Sequence, residues 1–331
     1  MRTAKLHSCA FYVPERIIPN SYFDKLLGED VDTWLKQNVE IYNRRWCREN
    51  ESTADLAEKA AQLCLENSGV RADQLDLIIV ATDTPEYISP STASVVQHRI
   101  GAKKAGTFDL NSACAGFVTG LQTGSYYLKG NKNYSYVLVI GAYAMSKYLN
   151  RMDKKTVTLF ADGAGAILLE GTCTNEVSIG FRGGILKTLG EYHDWMGIFS
   201  GGTKQPISAK SLNNNAHLLC FAKKFPKELN PETWVSMIQE LCAMESIEPN
   251  DIDEYFITQI NVNAIRETLD MLGIERSKAS TIMHEYGYTG SACIPMAFAD
   301  RMKQGIIPGG KRFIFLGSGG GLSFSGALFH S

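Results

Sequence analysis

The alternation of apolar and polar positions follows one order twice along this chain. Residues 54–82 read as an amphipathic helix, a turn through Asp73-Gln74-Leu75-Asp76, and an apolar strand. Residues 234–259 repeat that order, with Asp251-Ile252-Asp253 in the turn. After each strand the pattern predicts a second helix, a further strand and then the tripeptide Ser-Ala-Cys, at 112–114 and again at 291–293. Asp76 precedes Cys114 by 38 positions and Asp253 precedes Cys293 by 40, a match that points to an internal duplication. The two halves also close alike: Val137-Leu138-Val139-Ile140-Gly141 is echoed by Phe313-Ile314-Phe315-Leu316-Gly317, and the Gly-rich run at 163–168 by the one at 320–325. An α/β fold of two pseudo-duplicated halves follows, residues 1–171 and 172–331, with sheets sandwiched between helices. Residues 201–217, rich in Gly, Ser and Asn, read as a loop before the second copy's helices.

Candidate chemistry concentrates where a strand meets a helix. Residues 107–110 read as the end of a strand and 115–128 as a helix with Phe117, Leu121 and Leu128 on one side. Cys114 lies between them. A thiol at a helix start sits among unpaired N–H groups and near the positive end of the dipole, which is expected to lower its pKa and favour the thiolate. A small buried cysteine packing helix against sheet is the plain structural alternative.

Composition narrows the function classes. With 331 residues, 44% hydrophobic and 21% charged, the chain is long enough for two domains or one large duplicated core. A formal net charge of −2 gives no bulk attraction to nucleic acid or to a membrane surface. The eight cysteines form no CxxC pair and no Cys/His cluster of zinc-like spacing, so no metal is expected. Their scatter suits reduced thiols of a cytoplasmic protein. The opening residues lack the apolar core of a signal peptide, and apolar runs such as 137–144 are too short to span a bilayer.

Together, the Ala113-Cys114-Ala115-Gly116-Phe117 context, the Ala161-Asp162-Gly163-Ala164-Gly165-Ala166 stretch, the closing Gly319-Gly320-Gly321 and the duplicated layout resemble the thiolase superfamily, and within it the β-ketoacyl-acyl-carrier-protein synthase III family, over nearly the whole chain. The resemblance implies a thiolase-like fold in α-β-α-β-α layers. It implies that Cys114 takes an acyl group from coenzyme A as a thioester, which then condenses with a carbon nucleophile from malonyl-acyl carrier protein. It assigns Cys114 and Gly321 as oxyanion donors, calls for no cofactor beyond the thioester substrates, and suggests a homodimer or a heterodimer with a related ketosynthase.

The chain departs from the family where the decarboxylation site is expected. Gln259 stands at the family's histidine, with Asn261 close behind as a substrate-binding candidate, and Tyr288 stands at the family's asparagine. Neither glutamine nor tyrosine titrates near neutral pH, although both donate hydrogen bonds. His284 and His193 are weaker candidates for a substitute base, each more plainly read as a surface histidine. For the substrate entrance, the resemblance matches Trp34 to an adenine-stacking tryptophan and leaves Tyr42 at the position of its arginine partner. Lys147 matches a phosphate-facing arginine, with Arg151, Lys154 and Lys155 nearby as a basic patch or a solvated loop. Ser89 takes the place of a bulky residue in the dimer-crossing loop and predicts a roomier acyl pocket. Three activities remain open: a condensing acyltransferase of the ketosynthase III type, a non-condensing acyltransferase to a carrier protein, hydroxyl or amine, and a weakly active partner subunit.

Overall fold

The computed structural model describes residues 2–173, 179–303, 305 and 307–331. In the first half, strands β1 (Arg2–Tyr12), β2 (Leu77–Ala81), β3 (Gly106–Leu110), β4 (Tyr136–Ala144) and β5 (Asp162–Cys173) form one sheet in the order β1-β5-β4-β2-β3. In the second, β6 (Gly180–Thr188), β7 (Glu254–Ile257), β8 (Arg312–Gly319) and β9 (Ser323–His330) form another in the order β7-β8-β9-β6. Aligning β2 with β7, β4 with β8, β5 with β9 and β1 with β6 superimposes the two orders, which is the duplication expected from the sequence. Residue 171, where the sequence suggests dividing the chain, falls within β5.

The central strands are buried on both faces. β2 (Leu-Ile-Ile-Val-Ala) is buried at every position and pairs in parallel with both β3 and β4, which suits its unbroken apolar run. Helix α1 (Thr53–Ser68) is fixed at its start by a capping box between Ser52 and Asp55 and closed by Gly69 at φ 69°. Its Ala57, Ala60, Ala61 and Cys64 stripe packs on the outer face of the first sheet. With α2 (Thr92–Arg99) it forms one outer layer. Helix α3 (Gly116–Gly130) lies between the sheets, touching β4 and β2 of the first and β8 and β9 of the second. Helices α4 (Leu229–Met244) and α5 (Val262–Met271) serve the second sheet's outer side, and α6 (Cys293–Arg301) is the second inner helix. The layers therefore run α-β-α-β-α. No helix among the described residues is long and apolar enough to cross a membrane.

Two expectations change. The predicted second-half strand before Ser291 is reduced to one bridge, Tyr255 to Ala279. Residues 280–283 are held instead by a side chain: Gln259 Oε1 accepts from the amides of Ile282 (2.8 Å) and Met283 (3.2 Å), and Gln259 Nε2 donates to Ser280 O (3.1 Å). Within residues 201–217, a short helix (Ala209–Asn213) with its own Ser208 cap interrupts the expected loop.

Candidate active site

Beyond β3 the chain turns through Asn111, whose Oδ1 accepts from the amide of Ala113 (3.0 Å), and Ala113 adopts a left-handed φ of 46°. This turn delivers Cys114 just ahead of α3. From the other half, β8 closes on the turn so tightly that a Cβ at Gly319 would come within 2.4 Å of the Cys114 amide nitrogen. Only glycine permits that approach.

Cys114 is 1% exposed. Burial pushes its thiol well above the usual value, and the neighbouring Asp83 charge adds to the rise; the Tyr288 hydroxyl and the residue's own amide act in the opposite direction. The expected low-pKa thiolate is therefore corrected. α3 begins two residues later, at Gly116, and the favourable helix-end field does not offset desolvation in this dry setting. Cys293, the counterpart in the second copy, is also buried, at the start of α6, where burial pushes its thiol up to about 12.

Tyr288 is fixed by its backbone. Its amide donates to Leu159 O (2.9 Å) and its carbonyl accepts from Ala161 N (2.8 Å), tying it to the segment that leads into β5. That segment is braced in turn by Asp162, whose buried carboxylate accepts from Cys47 N (2.7 Å) and Ser146 N (2.8 Å). The Ala-Asp-Gly-Ala-Gly-Ala stretch thus supports the site from behind. Cys114 and Tyr288 share the wall of a cavity of about 310 Å³ with Asn261, Ser318, Gly319 and Gly320, and its other sides include Met196, Phe221, Phe225, Ile260 and Leu322. Asn261 also caps α5, with its side chain accepting from the amide of Asn263 (3.0 Å). A second cavity of about 420 Å³ shares Leu159 and Phe221 with the first and is lined by Trp34, Lys154, Lys155 and Thr158. Leu159 and Phe221 thus stand between the cavity beside the exposed Trp34 ring and the one beside the buried thiol.

Of the candidates named from the sequence, the structure thus brings Cys114, Tyr288 and Asn261 together and puts Trp34 on the wall of the adjoining cavity. The others are placed differently. Gln259 is not in the cavity lining, because its amide group is spent on the 280–283 segment. The glycines beside the cavity are Gly319 and Gly320; Gly321, at φ 138°, shapes the turn between β8 and β9. Lys147 Nζ donates to the carbonyls of Arg48 and Glu49 (2.8 Å each), a loop clasp rather than a phosphate contact. Arg151 stacks 4.2 Å over Trp46 and donates to Ser146 O, apart from the Trp34 cavity. Tyr42 is 42% exposed and is not in the lining of that cavity. Ser89 is exposed, beside Ile88 at 90% exposure, and contributes to neither cavity within the single chain. His284 and His193 are surface residues, His193 with its ring nitrogen near Gly190 O.

Sequence reading passed over the segment from Phe221 to Asn230, which walls the cavity and brings Lys227 to it. Its apolar residues lack a helical or strand period. It also passed over Asp83, an acidic residue directly after an apolar strand, which is the available signal for a buried charge.

The sequence matches the family described as 3-oxoacyl-(acyl-carrier-protein) synthase III over residues 108–185 and the corresponding C-terminal family over residues 242–331. It is 35% identical to a β-ketoacyl-(acyl-carrier-protein) synthase III of Clostridium perfringens, across 99% of both chains. It is 33% identical to an acetoacetyl-CoA synthase of a Streptomyces species, across 96% of this chain and 95% of that one. The crystal structure of 3-oxoacyl-(acyl-carrier-protein) synthase III from Aquifex aeolicus superimposes with a TM-score of 0.87 at 26% identity, covering 99% of this chain and all of that one. With its duplicated sheets, its cysteine turn and these relatives, the chain belongs to the 3-oxoacyl-(acyl-carrier-protein) synthase III family and has the thiolase-like fold.

Proposed function

We propose that the chain works as a ketosynthase III-type acyltransferase in fatty acid or polyketide synthesis, loading an acyl group from a coenzyme A or carrier-protein thioester onto Cys114. The carrying observation is the buried Cys114–Tyr288 pair on the wall of a cavity that shares Leu159 and Phe221 with a second one lined by Trp34, Lys154 and Lys155. The aromatic ring and ammonium groups suit the adenine and phosphates of coenzyme A, or the phosphopantetheine of an acidic carrier protein. Cys114 sulfur attacks the thioester carbonyl, the carbon–sulfur bond to the donor breaks, and the thiol proton leaves with the donor as free thiol. The amides of Cys114 and Gly320, rather than Gly321, are the proposed donors to the oxyanion, since Gly320 lies on the cavity wall.

The acyl group then passes to an enolate formed by decarboxylation of malonyl-carrier protein. Tyr288, on the same cavity wall as the thiol, is the proposed side-chain donor for that step, assisted by the Asn261 amide. A second reading, transfer to a hydroxyl, amine or carrier thiol without decarboxylation, is favoured by one observation: the Gln259 amide is committed to residues 280–283. A cytoplasmic dimer completes the proposal. Tyr87 and Ile88, 53% and 90% exposed in the single chain, are the apolar tip for a partner to cover, with Ser89 entering the partner's acyl pocket.

Intact-protein mass spectrometry of wild type and Cys114→Ala, after incubation with acyl donors and then malonyl-carrier protein, tests these readings. Cys114-dependent acylation discharged into a chain-extended product with release of carbon dioxide supports condensation. Acylation that persists until a hydroxyl, amine or carrier acceptor is supplied supports the second reading, and no acylation overturns both.

A further inference from the structure

Behind Cys114, the parallel strands β2 and β3 end side by side, and β4 runs on past them to Ala144. Ala81 on β2 pairs with Leu110 on β3 and with Gly141 on β4. Two residues beyond Ala81 lies Asp83, two beyond Gly141 lies Tyr143, and four beyond Leu110 lies Cys114. The C-terminal edge of a parallel sheet is where α/β folds gather ligand-binding groups. The Asp83 charge acts on both the Cys114 thiol and the Tyr143 phenol.

Tyr143 packs its ring in the core and Asp83 is half-buried, and neither polar group bonds another residue among those described. Asp83 Oδ1 and the Tyr143 hydroxyl are both shut from solvent and without hydrogen-bond partners, and the Tyr143 side chain is fully buried. Leaving such groups unpaired costs about 1–3 kcal/mol apiece. Their neighbours show what structural service looks like: Asp109 accepts from the amides of Thr92 and Ala93, and Glu86 from Ala54. Asp83 caps no helix and makes no ion pair among the described residues. Burial pushes its carboxyl up to about 6, so near pH 7 it remains mainly an ionised acceptor. Tyr148 also feels this charge.

Resting on the acylation of Cys114 proposed above, we infer that Asp83 and Tyr143 form a polar recognition site for the acyl group on that cysteine, selecting chains that carry a hydrogen-bond donor, hydroxyl or ammonium, close to the thioester. A donor of that kind satisfies the orphaned carboxylate oxygen, and the phenol completes its hydrogen bonding. A plain alkyl chain leaves both groups unpaired, and that asymmetry is what gives polar pockets their discrimination.

The test is the initial rate of Cys114 acylation, followed by intact-protein mass spectrometry, with butanoyl-CoA, 3-hydroxybutanoyl-CoA and 3-aminobutanoyl-CoA. Wild type is expected to favour at least one of the substituted donors by about tenfold or more in kcat/KM. Asp83→Leu is expected to invert that order, accelerating butanoyl transfer while slowing the other two; Asp83→Asn is expected to keep part of a hydroxyl preference and lose an ammonium preference. Tyr143→Phe, a smaller change, covers the case in which Asp83→Leu does not fold, and it too is expected to narrow the preference. Equal or faster use of butanoyl-CoA by wild type overturns the inference and leaves the acylation reading standing. Variants that slow all three donors alike also overturn it. Failure of all three donors to acylate Cys114 overturns it together with the acylation reading.

Discussion

The hydroxyl of Tyr288 and the thiol of Cys114 sit on one cavity wall and shift each other's titration, though the two residues come from opposite halves of the chain. Burial pushes both groups up, and the interaction between them draws the thiol back while holding the phenol higher still. Tyr288 therefore stabilises the charged sulfur. Tyr288→Phe is expected to raise the thiol further and to slow Cys114 acylation about tenfold or more, the worth of one charge-assisted hydrogen bond. Stopped alkylation with iodoacetamide at pH 8, read on Cys114 by mass spectrometry, is expected to slow in parallel. An unchanged alkylation rate would show that the phenol does not tune the thiol.

Gln259 has a different part to play. With both ends of its amide bonded to residues 280–283, Gln259→Leu removes three hydrogen bonds, two of them buried, and orphans backbone groups, a loss of about 3 kcal/mol. Thermal unfolding is expected several degrees lower, with rates on Cys114 falling only as far as the folded fraction does. A variant of normal stability and lost acylation would instead place Gln259 in the chemistry.

Asp83 links stability to pH. Its carboxyl titrates at about 6 in the folded chain against an ordinary value of 3.8, so protonation favours the folded state. That contribution is full below pH 3.8 and is lost as the pH rises through about 6. Asp83→Asn is accordingly expected to stabilise the chain by up to about 3 kcal/mol near pH 8, with the gain disappearing toward pH 4. Denaturant melts at the two pH values decide this; a gain of the same size at both would mean that the carboxyl is not held out of its ordinary range.

At the proposed entrance, charge rather than packing is expected to matter. Lys154 and Lys155 line the Trp34 cavity, and Lys154 is also within 2.9 Å of Glu29 at the surface. The double change Lys154→Ala/Lys155→Ala is expected to raise KM for a coenzyme A thioester several-fold at low salt and much less at high salt, with little change in kcat. Lys147→Ala, which removes only a clasp on Arg48 and Glu49 carbonyls, is expected to leave KM within twofold, because no anion contact is lost. KM values at two ionic strengths separate the two lysine roles.

What could be read from the chain is what depends on local order. Apolar runs such as Leu77–Ala81 and the spacing from Asp76 to Cys114 carry the duplicated sheets, because strand burial and connection length leave periodic marks. The position of Cys114 was legible for the same reason, as a thiol in a strand-to-helix turn. Its pKa was not, since the close approach of Gly319, the Asp83 charge and the Tyr288 hydroxyl all come from positions distant in sequence. Gln259 and Lys147 were misplaced because a family position identifies where a residue sits along the chain, while the direction of its side chain is decided by unpaired backbone groups around it.

The closeness of Gly319 to the Cys114 amide has one more consequence. The turn bearing the thiol and the strand pressed against it fold from halves separated by some two hundred residues of chain, so the reactive geometry exists only once both have docked. During synthesis, a ribosome-bound chain lacking its last strands carries Cys114 as an ordinary thiol with no cavity in front of it. The wall around Cys114 is thereby completed only by strands of the second half.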